Sequence, residues 1–565
     1  MKNITILSKK LCLLAILLMA CVFTAVAADF TEGNLNYNII DDNTVEVAKW
    51  DSDKYSGEIV IPAAVEHDGV NYQVTRIGKS AFYSCRELTF VEIPEGITEI
   101  ANDAFSACGI QAVELPNSLV SIGDNAFSWS ESITNVYIPR NVAVIGRFPF
   151  YDCTALTDIM CSSMNPHFKS VNGVLYSKDM TSLVAYPTAA TSSSFDVPTT
   201  VTRIEMGAFA FNQSLTQINF PENLEWIGAS AIRDCDNLVS LEFPDNVSYI
   251  GPACFCKCDN LVSVHLPANL DTICNSIAGD LRSLTELVIP RNVKYMDDFA
   301  CAESDALKSI IFEEGSQLDA IGLRAFENTG LESFDMPNSV TRIDGQIFGY
   351  CYNLKRAHLS DNLREMDGST FWDCTALTEG EIPGGVVSIK NVFVNCSSMK
   401  RLKIGDRNSA PGVTTIKNCG ISRCYQVEYL ELGANVDSLE YGAFSGIDSL
   451  KVVISWAAVP PRCNAYSSSF RPKPQDMDAV LYVPRASLEA YRTAIDWMNF
   501  NTIVAIEDVG DVDLDGSVEI ADVTALIDRL LNGEILLPAI ADVDFDGMVS
   551  ISDVSALIDL LLTRD

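Results

Sequence analysis

Two twelve-residue stretches near the end of the chain place oxygen-bearing residues at a spacing that does chemistry: Asp511, Asp513, Asp515, Gly516, Ser517, Glu519 and Asp522, then Asp542, Asp544, Asp546, Gly547, Met548, Ser550 and Asp553. Side-chain oxygens at loop positions 1, 3 and 5, a glycine at 6 for a sharp turn, a backbone carbonyl at 7 and a carboxylate at 12 suit a hard cation that takes roughly six to eight oxygens. Calcium is that cation. So many carboxylates in one short loop repel each other unless a positive ion sits among them, so each loop is expected to order around its ion, and the calcium is structural.

The elements that must position these ligands follow each loop. Residues Val518 to Leu531 and Val549 to Leu562 carry helical patterns, in which Val523, Leu526, Ile527 and Leu530 match Val554, Leu557, Ile558 and Leu561 at a fixed offset. That spacing puts each set on one helix face, and the two helices are expected to pack together as a pseudo-twofold pair. No helix is expected to enter either loop, because Thr502 to Ile506 is β-like and Pro538 stands just before the second loop. Each unit is half of a helix-loop-helix hand.

The 565-residue length exceeds what one hydrophobic core spans, which leaves several domains or a repeat array. A repeat is visible. Proline after an apolar residue recurs at Pro94, Pro116, Pro139, Pro221, Pro244, Pro267, Pro290, Pro337 and Pro383, at steps of 22 or 23 residues within each run and with wider gaps after Pro139, Pro290 and Pro337. Around each proline the unit reads Leu-x-x-Val-x-Ile-Pro, then Val-x-x-Ile-Gly, then Ala-Phe-x-x-Cys. Alternating residues before the proline predict a strand with one face inward, and a period in this range means a solenoid.

Phe82, Phe105, Phe127, Phe150, Phe209, Phe255, Phe326, Phe348, Phe371, Phe393 and Phe444 fill one equivalent slot and are expected to stack as the core. Three residues later come Cys85, Cys108, Cys153, Cys235, Cys258, Cys351, Cys374 and Cys396, with Ser130, Asn212 and Thr329 as substitutes, so the slot demands a small, half-polar side chain. Side chains stacked in one column point the same way, a poor arrangement for a disulfide dihedral, so most of these cysteines are expected to be buried thiols.

The pattern resembles the BspA-like, or Treponema-type, leucine-rich repeat over roughly residues 76–455. That resemblance implies a curved α/β repeat solenoid, β-rich with short helical or irregular segments, found in bacterial surface proteins that bind matrix proteins or cells. Residues 160–200 break the period and read as a hairpin insertion, residues 28–75 as an N-terminal β cap, and residues 456–506 as a C-terminal cap. Residues 507–565 resemble a type I dockerin, a small all-α calcium-binding domain. By that likeness two calcium ions are held by Asp511, Asp513, Asp515 and Asp522, and by Asp542, Asp544, Asp546 and Asp553. Ser517 and Met548 would add carbonyls, and Glu519 and Ser550 would act through water. The same likeness puts Ile520, Ala521, Ile551 and Ser552 against a cohesin-type scaffold protein. The alternative is a calcium-stabilised tail without a partner.

Residues 1–27 have the parts of a secretory signal peptide: Lys9 and Lys10, the apolar run Leu11 to Val22, and Ala25-Val26-Ala27. Leu18-Met19-Ala20-Cys21 also approximates a lipid-attachment box, so free secretion and lipid anchoring both stay open. No other apolar run reaches the ~20 residues of a membrane-spanning helix. A formal charge of −36 repels nucleic acid and anionic lipid.

Outward positions of the repeat strands form a column of mixed chemistry, from Glu92, Glu114 and Tyr137 through His265, His358, Glu381 and Lys403 to Glu431, which suits a protein or glycan ligand. The charged rows Arg356 and His358, Glu379 and Glu381, Arg401 and Lys403 are expected to neutralise one another across rungs. The four histidines show no zinc spacing and no neighbouring nucleophile, and Cys254, Cys256 and Cys258 read as ordinary repeat positions. The expected function is therefore an exported, non-enzymatic binding or adhesion protein whose tail docks to a cohesin. The alternative is a non-catalytic or hydrolytic subunit of a polysaccharide-degrading assembly.

Overall fold

The computed structural model of the protein describes residues 28–50, 55–366, 368–407, 415–417, 419–463, 468–473, 476, 479–506, 510–515, 517–533, 538–541, 543 and 549–563. Residues 1–27, expected to be a signal peptide, lie outside them. The chain divides into two units, one up to Asn237 and one from Leu238 to Asp565. Each is a stack of parallel rungs.

In the first unit, strands Gly57–Val60, Leu88–Glu92, Ala112–Glu114, Asn135–Ile138 and Asp158–Cys161 form one parallel sheet. Inward Val91, Val113, Val136 and Ile159 are buried, while the alternate positions face out. The proline that follows a strand has no N–H to continue the ladder. It opens a turn instead: the Pro94, Pro116 and Pro139 carbonyls accept from the N–H of Ile97, Leu119 and Val142, and Pro244 and Pro383 do the same in the second unit. A two-residue strand then forms a second parallel sheet, Glu99–Ile100 beside Ser121–Ile122 beside Val144–Ile145. Gly123 follows its strand closely packed, since a Cβ there would lie 2.6 Å from the Asn102 amide nitrogen, whereas Ala101 and Glu205 hold the same place in rungs with more room.

The opposite wall consists of successive turns in the first unit, whereas in the later rungs of the second unit it is a parallel sheet of two-residue strands, Phe371–Trp372, Phe393–Val394, Ile421–Ser422, Phe444–Ser445 and Phe470–Arg471. Two residues per rung sit in the left-handed region, four apart: Asp103 and Ala107, then Asn125 and Trp129. Such backbone costs roughly 1–2 kcal/mol per non-glycine residue. Stacking holds it in place: Asp103, Phe105 and Ala107 donate their N–H groups to the Asp124, Ala126 and Ser128 carbonyls of the next rung at 2.8–2.9 Å. The wall is a ribbon of rung-to-rung hydrogen bonds, and a single rung would not hold it.

Inside, the phenylalanines stack. Phe82, Phe105, Phe127 and Phe150 follow at centroid spacings of 5.0, 5.4 and 5.8 Å, and in the second unit Phe348, Phe371 and Phe393 at 5.2 and 5.0 Å. In the first unit Tyr55 tilts against Phe82, and in the second Phe470 packs against Trp497 and Phe500. The column is not a continuous run of phenylalanine. By hydrogen-bond register Ala278 and Cys301 take the slot between Phe255 and Phe326, and Ile421 takes it between Phe393 and Phe444.

The cysteine slot has a polar task. Cys108 donates to the Phe82 carbonyl at 3.2 Å, Cys153 to Phe127 at 3.1 Å, Cys351 to Phe326 at 3.1 Å and Cys374 to Phe348 at 3.0 Å. Ser130 and Ser304 do the same for Phe105 and Ala278. A short side chain carrying one donor is what the buried carbonyl of the preceding rung requires. None of the sixteen cysteines among the described residues is in a disulfide. Burial pushes the Cys153 and Cys235 thiols up to about 12, which keeps them protonated and unreactive.

Between Cys161 and Arg203 the period is interrupted by antiparallel strands Phe168–Val171, Val174–Ser177 and Ser182–Ala185. Tyr186 then resumes the core slot, 5.2 Å from Phe209. The second unit ends in strands Tyr429–Leu432, Val452–Ser455, Val480–Pro484 and Thr502–Ile506, with helix α1 (Leu488–Thr493) beside them. The tail supplies α2 (Ile520–Asn532), the single turn α3 (Pro538–Ala541) and α4 (Ile551–Thr563).

Candidate calcium centre and coupling face

Carboxylates converge on the first loop. Ligand oxygens of Asp511, Asp513 and Asp522 lie within 4.8 Å of one another, and Asp511 and Asp522 are buried. Asp522 is locked from three sides: its Oδ1 accepts from the N–H of Val512 at 2.6 Å and of Asp513 at 3.1 Å, and its Oδ2 accepts from that of Glu519 at 2.8 Å. Glu519 is the N-cap of α2 and forms a capping box with Asp522. One aspartate thus starts the helix and closes the loop.

Asp515, Ser517 and Glu519 stand outside the convergent group. Asp515 donates its N–H to Asp511 and Asp513 at 3.1 Å each, while its carboxylate takes the Ser517 N–H and hydroxyl. In the second loop Asp542, Asp544, Asp546 and Met548 lie outside the described residues. Asp553 repeats the Asp522 arrangement: it is buried and accepts from Val543 and Ser550 N–H groups at 2.7 Å each. Hard oxygen donors brought together in an acidic loop that is buried at Asp511 and Asp522 and open at Asp513 fit calcium, which would supply the opposing charge.

The helices pack through Val512, Val523, Leu526, Val543, Val554 and Leu557, so the pseudo-twofold core forms as the duplicated pattern implies. Ile527 and Ile558 do not join it. They are exposed, together with Ile520 and Ile551 at 73% each and Leu531 and Leu562. Steps of seven and four residues put Ile520, Ile527 and Leu531 on one outer stripe of α2, and α4 repeats it. Of the expected partner residues, Ile520, Ile551 and Ser552 are exposed and Ala521 is half-buried.

The tail is seated on the solenoid's end. Ile540 of α3 is buried with Tyr429, Ile454, Tyr482 and Ile506 from the outward face of the last strands. Beside them Glu431 is buried, a departure from its expected place in an exposed column. Arg407 at 3.1 Å, the Trp456 indole N–H at 2.8 Å and the Tyr429 hydroxyl at 3.0 Å all donate to it. Ile540→Ala is expected to cost about 2–4 kcal/mol of this docking, read as faster amide exchange in α3 and the Tyr429–Leu432 strand with the earlier rungs unchanged.

Further up the solenoid, Lys403 pairs with Glu381 at 2.7 Å as expected, but Arg356 turns back to Asp335 at 3.0 Å and Arg401 lies over the Tyr429 ring. The charged ladder is therefore partial.

The family described as BspA type leucine rich repeat region matches in six copies over residues 70–176, 185–308, 278–400 and 373–459. The chain belongs to the BspA-type leucine-rich repeat family. The dockerin type I domain matches residues 509–562, and such domains bind calcium. Among solved structures, this BspA-type chain is similar to a leucine-rich repeat protein from Bacteroides ovatus at 21% identity, covering 85% of this chain and 100% of that one, TM-score 0.42. One from Eubacterium ventriosum stands at 17%, 74%, 93% and 0.37 on the same measures. A leucine rich cell surface protein from Faecalibacterium prausnitzii stands at 21%, 75%, 94% and 0.32. No curated protein matches. No helix among the described residues is long and apolar enough to cross a membrane.

Proposed function

We propose that this BspA-type protein is an exported, non-catalytic adhesion protein, secreted or held at the cell surface, that couples a recognition solenoid to a cohesin-type scaffold. Residues 1–27 act as the export signal, 28–75 and 456–506 cap the solenoid of residues 76–455, and 507–565 form the coupling module with two calcium ions. The solenoid takes a protein or glycan. The observation that carries the reading is the duplicated apolar stripe, Ile520, Ile527 and Leu531 on α2 and Ile551, Ile558 and Leu562 on α4. Apolar side chains kept in water at matching positions of both helices favour a partner that covers them.

The test is binding of the full mature chain to immobilised cohesin modules with calcium or chelator present. Calcium-dependent capture is expected. Because the stripe is duplicated, Ile520→Asp alone should leave binding through α4, whereas Ile520→Asp with Ile551→Asp should weaken it about a hundredfold or more, a loss of about 2.8 kcal/mol of the kind a central apolar anchor carries. Equal capture in chelator, or a double variant that binds as tightly as the parent, would refute the docking role.

A further inference from the structure

The geometry points to a glycan-binding trough on the turn wall of the first unit, between Tyr83 and Trp129; it rests on the reading of the solenoid as a recognition surface and names the ligand class. Three consecutive rungs build it. The outer two present aromatic rings to solvent, Tyr83 at 44% exposure and Trp129 at 42%. The middle rung contributes only Ala107, Cys108 and Gly109, so the walls stand two rungs, about 10 Å, apart over a low floor. That floor cannot be raised at its glycine, because a Cβ on Gly109 would lie 2.0 Å from the Arg86 carbonyl oxygen. The Cys108 thiol points away, donating to Phe82 in the core. The resulting hollow measures about 390 Å³ and is rimmed by Arg86, Glu131 and Ser132, a volume within the ~300–1,000 Å³ of small-ligand sites.

Trp129 ends a row of aromatic side chains on the turn wall, with Tyr151 and then Phe148 and Phe211 behind it. Its backbone is left-handed, φ 59°, at a repeat position where the two preceding rungs place Ser84 and Ala107. A bulky side chain is disfavoured in that region, and it gains little burial here. One edge is held by Tyr151 at 5.9 Å in a T-shaped contact, which fixes the ring and leaves its remaining surface open to the trough. Tyr83 is braced by the Lys49 ammonium, 5.6 Å from its ring centre.

These features select a chemistry. A sugar ring offers apolar C–H faces that stack on aromatic rings and a rim of hydroxyls that both donate and accept. Arg86 donates, Glu131 accepts and Ser132 does both. A ligand of one charge sign would leave either Arg86 or Glu131 opposed to it, so a neutral glycan matches the rim.

The experiment is titration of the full mature chain with neutral oligosaccharides, namely gluco-, manno-, galacto- and chito-oligomers, followed by tryptophan fluorescence and calorimetry. Saturable binding of at least one series is expected, weakened about tenfold or more by Trp129→Ala and by Tyr83→Ala, with Trp129→Phe recovering part of it and all variants melting like the parent. Glycan binding that survives Trp129→Ala overturns the trough and leaves the recognition role standing. Saturable binding confined to protein targets overturns it equally. A solenoid that binds neither class would overturn both readings.

Discussion

Chelating calcium from the full mature chain is expected to strip amide protection from α2 (Ile520–Asn532) and α4 (Ile551–Thr563) while the solenoid rungs keep theirs. Asp511 and Asp522 are both buried, with ligand oxygens in one cluster, and without an opposing charge their repulsion and desolvation work against the compact loop. Asp522 also ties the loop to the helix: three backbone N–H groups point at its two oxygens. Hydrogen bonds to a charged acceptor contribute roughly 1.5–3 kcal/mol each, so Asp522→Ala is expected to cost at least ~3 kcal/mol of tail stability and to abolish ion binding in its loop. Asp522→Asn should fall nearly as far, since an amide presents one accepting oxygen where the carboxylate has two. Asp553→Ala is the matching change in the second half. Hydrogen exchange with and without chelator reads all of these, and protection of α2 and α4 that is indifferent to calcium would sink the metal assignment.

The tail's exchange should also reach the solenoid's end, because Ile540 is buried against Tyr429, Ile454, Tyr482 and Ile506. Losing the ion-ordered module uncovers that apolar face, so the Tyr429–Leu432 and Val452–Ser455 strands should lose part of their protection alongside the helices. The earlier rungs touch only their neighbours and are insulated.

How much of this was legible in the residues depends on the period involved. The strand before each proline, the aromatic slot and the paired helices all rest on repeated spacing, and the described residues follow them. The left-handed turn wall does not announce itself, since Ala107, Trp129 and Tyr350 have no preference for that backbone and adopt it only because adjacent rungs hold it. Ile527 and Ile558 fit the helical period, yet they lie at the edge of the apolar arc, and the narrow two-helix contact closes on Val523, Leu526, Val554 and Leu557 without them. The seat for Ile540 did carry a signal. Val452-Val453-Ile454 and Val480-Leu481-Tyr482-Val483 abandon the apolar-polar alternation of earlier rungs, and continuous apolar strands are buried on both faces. Tyr186 and Phe470 were likewise hidden as core residues because the inserted strands and the cap shift their spacing.

Replacing Phe371 by alanine is expected to cost about 3–5 kcal/mol, the range for a buried aromatic truncated in a core that does not collapse. The ring lies between Phe348 and Phe393, nearly parallel to both at 15° and 6°, and is 1% exposed. Neighbouring rungs are held apart by strands and by the hydrogen-bonded turn wall, so the gap persists, and in a one-dimensional stack it weakens both interfaces of its rung. The polar slot three residues on behaves differently. Cys374→Ser keeps a short donor for the Phe348 carbonyl, as Ser130 and Ser304 do in their own rungs, and is expected to change stability by less than ~1 kcal/mol. Cys374→Val fills the space but removes one of two donors to that carbonyl, which keeps only the Cys351 N–H at 3.2 Å, at a cost of roughly 0.5–1.5 kcal/mol. Denaturant unfolding of the three variants, monitored with calcium present, should therefore rank Phe371→Ala below Cys374→Val and Cys374→Ser beside the parent. If valine were tolerated as well as serine, the slot would be selected for size alone, and the ladder of side-chain donors would have no part in holding the rungs together.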